Sequence, residues 1–193
     1  AEEVEGGEPQ ELREAWGAAG ERAMAAGLDG GELHRSHGYL RWQFLSPLYN
    51  KRTDKWGGSY ENRLRFPLEV LGRMREAVGS EPFVGYRINS TSFWPGDLEI
   101  DDVRKIVPDI EKGADIDYVD VSAGVHHAFI HTPMEFEGGW ERGYARQICE
   151  VSNKPVLAVG VITTPDLAKA LLEAGHAGGA GRTGAGGGAS ALS

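Results

Sequence analysis

Residues Leu28 to Asn62 read LDGGELHRSHGYLRWQFLSPLYNKRTDKWGGSYEN, and the fold turns on how this stretch is parsed. Gly27 acts as a stop signal, and the short run Leu28 to Leu33 after it is too brief for a helix, so it is expected as a buried strand. His34, His37 and Tyr39 stand at the end of that strand. A turn-rich loop with Pro47, Asn50, Asp54, Gly57 and Gly58 follows, and a helix is expected from Ser59 as N-cap to about Val78. Its apolar stripe is Leu64, Leu68, Leu71 and Met74. Three protic side chains at the carboxyl end of a strand lie where α/β folds place their chemistry.

Outward from this stretch, strands and helices alternate. A helix precedes it over Glu11 to Ala26, with residues 1–9 an acidic, frayed end. Phe83–Ile88, Asp117–Ser122 and Pro155–Val159 are the next three expected strands. Helices are expected over Asp101–Lys112, where Pro108 would remove a hydrogen bond, over Trp140–Ser152, and from Thr164-Pro165 to Ala174. Four βα units imply a parallel sheet, either doubly wound or part of a (β/α)8 barrel. Periodicity does not choose between the two.

Composition narrows the function. With 193 residues, 40% hydrophobic and 25% charged, the chain is of ordinary globular make-up. A formal charge of −9 argues against a nucleic-acid partner. No run is long enough to span a membrane and no signal-peptide pattern opens the chain, so a cytoplasmic location is expected. The single cysteine, Cys149, excludes an internal disulfide and an iron–sulfur cluster, and sits in a helical pattern that favours inert packing. No Gly-x-Gly-x-x-Gly follows any strand, which removes a nicotinamide-binding doubly wound domain.

His34-Arg35-Ser36-His37-Gly38-Tyr39, then Gln43-Phe44-Leu45-Ser46-Pro47, Asn50-Lys51-Arg52-Thr53-Asp54, Gly57-Gly58-Ser59 and Glu61-Asn62-Arg63, follow one another in an order that resembles the signature of the Old Yellow Enzyme family of NADH:flavin oxidoreductases and ene-reductases. The resemblance continues more weakly from about Glu11 to His176. It implies an FMN-binding (β/α)8 TIM barrel of which residues 1–177 hold about four units, equivalent to strands four to seven. The expected cofactors are FMN and NAD(P)H, and the expected partner is a small-molecule α,β-unsaturated carbonyl compound, with room for a homo-oligomer. In that reading NAD(P)H reduces the flavin and the flavin passes hydride to the substrate C=C. The alternative is a catalytically inactive partial barrel that does not bind FMN alone.

The resemblance also assigns residues. His34 and His37 would donate two N–H groups to the substrate carbonyl oxygen, where negative charge develops. Tyr39 would protonate the α-carbon, since a phenol keeps its proton at neutral pH. Arg87 would lie beside the flavin pyrimidine edge as a fixed cation, and the backbone of Gly160 would approach the FMN phosphate. His-x-x-His is also half of a zinc site, but no further ligand stands at metal-like spacing. His126, His127 and His131 are taken as solvated loop residues, Ser122-Ala123-Gly124 as a turn or pocket lining, and Asn50 to Asp54 as a loop brace. Trp94, Phe136 and Trp140 either wall the mouth of the site or pack. From residue 178 to 193 there are seven glycines, one charge, Arg182, and no β-branched apolar residue, a composition expected to form a disordered tail and no buried strand.

Overall fold

A computed structural model of the chain describes residues 8–125 and 136–180. In chain order its elements are α1 (Glu8–Ala25), β1 (Gly30–Arg35), α2 (Leu40–Leu45), α3 (Tyr60–Val78), β2 (Phe83–Asn89), α4 (Ile100–Gly113), β3 (Tyr118–Ser122), α5 (Arg142–Cys149), β4 (Val156–Ala158), α6 (Pro165–Glu173) and β5 (Gly179–Ala180). All five strands are parallel, and each pairs with its neighbour in sequence, in the order β1-β2-β3-β4-β5. A doubly wound sheet reverses its order at a switch point, whereas a barrel wall winds steadily one way. The sheet is therefore an arc of a (β/α)8 barrel.

Alternation along the strands separates two faces. Leu33, Val84, Tyr86, Ile88, Val119, Val121, Val156 and Ala158 are buried in one hydrophobic core under the helices. The opposite face carries Glu32, His34, Arg87, Asn89, Asp120 and Ser122, and the register sets His34, Arg87, Asp120 and Leu157 side by side in one row. That charged face is the inner side of the barrel arc.

Local chemistry explains the element ends. Ser59 caps α3 by accepting the Asn62 N–H at 3.2 Å, and Thr164 caps α6 by accepting that of Leu167 at 3.2 Å. Pro108 does not break α4, which is anchored at its start by Asp102 accepting the Glu99 N–H at 3.2 Å and buries Val103, Ile106, Val107 and Ile110. The expected frayed end extended to residue 9, but α1 begins at Glu8 and packs on α3, where Arg73 pairs with Glu14 and Glu21, each at 2.9 Å. Cys149 is half-buried, its Sγ 3.6 Å from the His176 carbonyl oxygen, and burial pushes its thiol up, as suits a packing residue.

Two expectations need correction. The tail was read as a disordered segment from residue 178 onward that forms no buried strand; Gly179 and Ala180 pair with Leu157 and Ala158 in a two-residue edge strand in which Gly179 is only half-buried, and the Gly178 N–H bonds the Val156 oxygen at 2.8 Å. An edge strand needs backbone groups more than apolar side chains. Gly179 suits this edge because a Cβ there would lie 2.4 Å from Leu157 Cδ2. Residues 181–193, including Arg182, lie outside the described residues. The second correction is α2, a six-residue helix inside what was read as loop. Asn50 braces the remainder of the loop, donating to the Phe44 oxygen at 2.6 Å and the Trp56 oxygen at 2.8 Å. Among the described residues no helix is long and apolar enough to cross a membrane.

The buried Asp97 ties α2 to the loop after β2: Trp42 Nε1 donates to Oδ2 at 3.0 Å, and the Ser46 hydroxyl donates to Oδ1. Asp97→Ala leaves both buried donors unpaired and should cost about 2–4 kcal/mol in urea unfolding. Loss of less than about 0.5 kcal/mol, an ordinary surface effect, would show that the tie carries no weight.

Candidate active site

The sheet register and the turn after β1 bring His34, His37, Tyr39 and Arg87 to one place, and leave Gly160 apart from the histidines. His34 ends β1 beside Arg87 of β2, and Arg87 sits beside Asp120 of β3. The chain then turns through His37, whose φ of 64° is left-handed, and Gly38, φ 80°, so that both histidines and Tyr39 converge. The ring centroids of His34 and His37 are 5.5 Å apart, and those of His34 and Tyr39 are 5.7 Å apart in an edge-on arrangement. The two histidines are half-buried and Tyr39 is exposed.

The histidines are not equivalent. The Ser36 backbone N–H donates to His34 Nδ1 at 3.3 Å, so the proton of neutral His34 is on Nε2, which is then a donor. His37 Nδ1 lies 3.0 Å from the Gly124 carbonyl oxygen, which can only accept, so Nδ1 holds the proton of neutral His37 and Nε2 is an acceptor. Burial, with the Arg87 charge adding to it against the Gly124 hydrogen bond, pushes the His37 pKa down and favours that neutral form. Two simultaneous donors, the sequence expectation, would require protonated His37.

Arg87 lies among acids. Its Nε is buried without a hydrogen bond and stands 3.7 Å from Asp120 Oδ2. Burial raises Asp120 to about 7, with Arg87 pulling it back and the Glu32 carboxyl pushing it up again. Glu32 is raised by burial as well, with the Arg87 charge opposing it. A third carboxyl, Glu141, is 4% exposed just before α5 and is raised by burial to about 7.

Gly160 stands at the end of β4 with φ 99°, followed by the strained Val161 at 55°, and its oxygen accepts the Gly139 N–H at 2.7 Å. It lies against Glu141 rather than against the histidines. Phe136 stacks on Trp140 at 4.3 Å, and Phe93 approaches Trp140 at 6.2 Å and Tyr144 at 6.0 Å, an aromatic wall on the same side. Ser122 bonds Ser36 at 2.9 Å and Asn89 at 3.2 Å, so the Ser122–Gly124 turn is a structural hub. His126, His127 and His131 lie outside the described residues.

Sequence reasoning missed Glu32, Asp120 and Glu141. One signal was available: an acid at 120 interrupts a buried parallel strand, where an apolar run is the rule. Nothing local marked Glu141, because its burial comes from the ends of two other strands.

The two tautomers are directly checkable. Long-range nitrogen–carbon NMR correlations should show the Nε2–H form for His34 and the Nδ1–H form for His37, with His37 titrating below the ordinary value of about 6.5. His37→Gln should leave the His34 signature in place. An Nε2–H form of neutral His37 would refute the assignment.

A family model described as the NADH:flavin oxidoreductase / NADH oxidase family matches residues 2–178. An NADH oxidase of Thermoanaerobacter brockii is 39% identical over 172 residues, which are 88% of this chain and 26% of that protein. A 2-naphthoyl-CoA reductase in complex with 2-naphthoyl-CoA superposes with a TM-score of 0.82 at 30% identity, over 89% of this chain and 26% of the other. Histamine dehydrogenase of Rhizobium sp. 4-9 superposes with a TM-score of 0.80 at 30% identity, over 92% and 26%. The chain thus spans about a quarter of the length of these proteins. A steadily wound parallel arc, the His34–Tyr39 signature and a match along nearly the whole chain together place this protein in the NADH:flavin oxidoreductase / NADH oxidase family, to which Old Yellow Enzymes belong.

Proposed function

We propose that the chain forms the substrate-facing part of an FMN- and NAD(P)H-dependent ene-reductase acting on an α,β-unsaturated carbonyl compound. The observation that carries this reading is the convergence of His34, His37 and Tyr39 one strand away from Arg87. Family membership supports FMN as the bound group. The residues present fit it: Arg87 offers a buried Nε that makes no hydrogen bond, with only Asp120 at ion-pair distance, and Gly160 a left-handed turn without a side chain, features that suit an anionic, phosphate-bearing molecule. When bound, FMN supplies the hydride chemistry, taking hydride from NAD(P)H and giving it to the β-carbon of the substrate.

The side chains have separable tasks. His34 donates from Nε2 to the carbonyl oxygen and holds the charge that develops there. His37 fixes the turn through Gly124 and presents an acceptor nitrogen, becoming a second donor as pH falls. Tyr39, with its ring edge-on to His34, delivers a proton to the α-carbon. Arg87 supplies the positive charge at the strand end, moderated by Asp120. Phe93, Phe136 and Trp140 offer a flat apolar wall, which suits a planar conjugated substrate. The neighbour named for histamine acts on an amine, which has no oxygen for His34 to polarise; the donor assignment favours the carbonyl class represented by 2-naphthoyl-CoA.

The test is stopped-flow absorption on the FMN-loaded chain. Reduction by NADH or NADPH should be followed by reoxidation with a cyclic enone under anaerobic conditions. Tyr39→Phe should slow reoxidation by about 10²- to 10⁴-fold and leave reduction unchanged. Arg87→Ala should lose bound flavin colour. A chain that stays colourless with FMN, or a reduced protein indifferent to the enone, rejects the proposal.

A further inference from the structure

Glu141 has no task in the reading above, yet its setting is unusual. It is buried at 4% exposure between the ends of β3 and β4. Its Oε1 accepts the Ala123 N–H at 3.1 Å, and its Oε2 is buried with no hydrogen-bond partner. Its side chain also lies directly against Gly160: a Cβ on that glycine would be 3.0 Å from Glu141 Cγ, 3.1 Å from Cβ and 3.2 Å from Cδ. Glu141 therefore joins the turn after β3, whose Gly124 oxygen holds His37, to the turn after β4.

We propose that Glu141 is a positioning residue that latches these two turns in its neutral form and, when ionised, sets a negative charge against the Gly160 backbone that opposes an anionic phosphate. The phosphate role of Gly160 rests on the FMN reading above.

Charge accounting supports the latch. A carboxylate with one backbone donor and an orphaned buried oxygen is poorly compensated. Among the described residues, the Ala123 N–H and, less strongly, Arg87 from β2 favour its ionisation, and Asp120 from β3 opposes it. Tyr144 on α5 faces it too, and feels Glu99 at the start of α4. Arg142 turns to the Gly139 oxygen at 3.1 Å, and the 159–164 segment after β4 has no titratable side chain. Burial dominates, and holds the carboxyl near 7. A folded-state acid raised above its unfolded value stabilises less as pH climbs. The native chain keeps its proton from about 4.5 to about 7 while the unfolded chain has lost it, so stability falls across that window and levels off above it.

Glu141→Gln keeps an acceptor for Ala123 and cannot ionise; Glu141→Ala keeps neither. In the flavin-free chain, the melting temperature of Glu141→Gln should exceed that of the wild type by several degrees at pH 8 and converge with it at pH 5. Glu141→Ala should melt lower than Glu141→Gln at every pH. Parallel melting curves for wild type and Glu141→Gln from pH 5 to 8 overturn the latch.

The second arm measures FMN and riboflavin binding by fluorescence quenching at pH 5.5 and 8. The Glu141→Gln variant reports the titration of the phosphate itself. The ratio of FMN affinity, Glu141→Gln over wild type, should grow about tenfold between these pH values, while that for riboflavin, which lacks the phosphate, stays constant. Equal growth for both flavins, or none for FMN, overturns the phosphate gate. If neither protein binds either flavin while the melting temperatures diverge as expected, the FMN reading and the gate fall and the latch stands.

Discussion

A single carbonyl oxygen, that of Gly124, holds the mouth of this half of the barrel together. It accepts His37 Nδ1–H at 3.0 Å and Asn89 Nδ2–H at 2.9 Å, and so joins the ends of β1, β2 and β3. A carbonyl has two lone pairs and no proton, so both partners must donate. That requirement orients the His37 ring, selects its tautomer, and leaves the nitrogen on the far side as an acceptor. It also explains a left-handed φ at a non-glycine residue, since the bond to Gly124 and the bridge from His37 to Val125 hold the turn in place. The neighbouring residues of the same turn are occupied in turn: Ser122 by Ser36 and Asn89, Ala123 by Glu141.

The second constraint is electrostatic. Helices cover one face of the sheet with apolar contacts, whereas among the described residues the inner face carries Arg87 beside Glu32 and Asp120, with Glu141 buried at the strand ends. Burial drives all three carboxyls toward their neutral forms. The field at the mouth therefore depends on pH through these buried carboxyls. Because Glu32 and Asp120 are held toward their neutral forms, they offset less of the Arg87 charge.

Structural and chemical loads are divided along the strands. At their N-terminal ends, Arg75 binds Asp117 at 2.6 Å and the Pro82 oxygen at 2.7 Å, and Asp117 accepts the Val84 N–H at 2.7 Å, a closed network that anchors the sheet. At their C-terminal ends stand the left-handed residues His37, Phe93 and Val161. Barrel enzymes keep stability and chemistry at opposite ends in this way.

The sequence by itself determined the βα alternation, because apolar periodicity and turn chemistry are local properties. Ser59 and Thr164-Pro165 announced their helices for the same reason, and the ordered block from His34 to Arg63 carried the family. Local propensity was a poorer guide to α2, a single short turn pair held by Asp97 from a distant loop, and to β5, where backbone pairing outweighs a glycine-rich composition. Tertiary structure alone decided the strand order that makes an arc of a barrel, the row of His34, Arg87 and Asp120, the tautomers of the two histidines, and the burial of Glu141. Each depends on partners far apart in sequence, and a proton's position is set by the group that meets it, not by the residue that carries it.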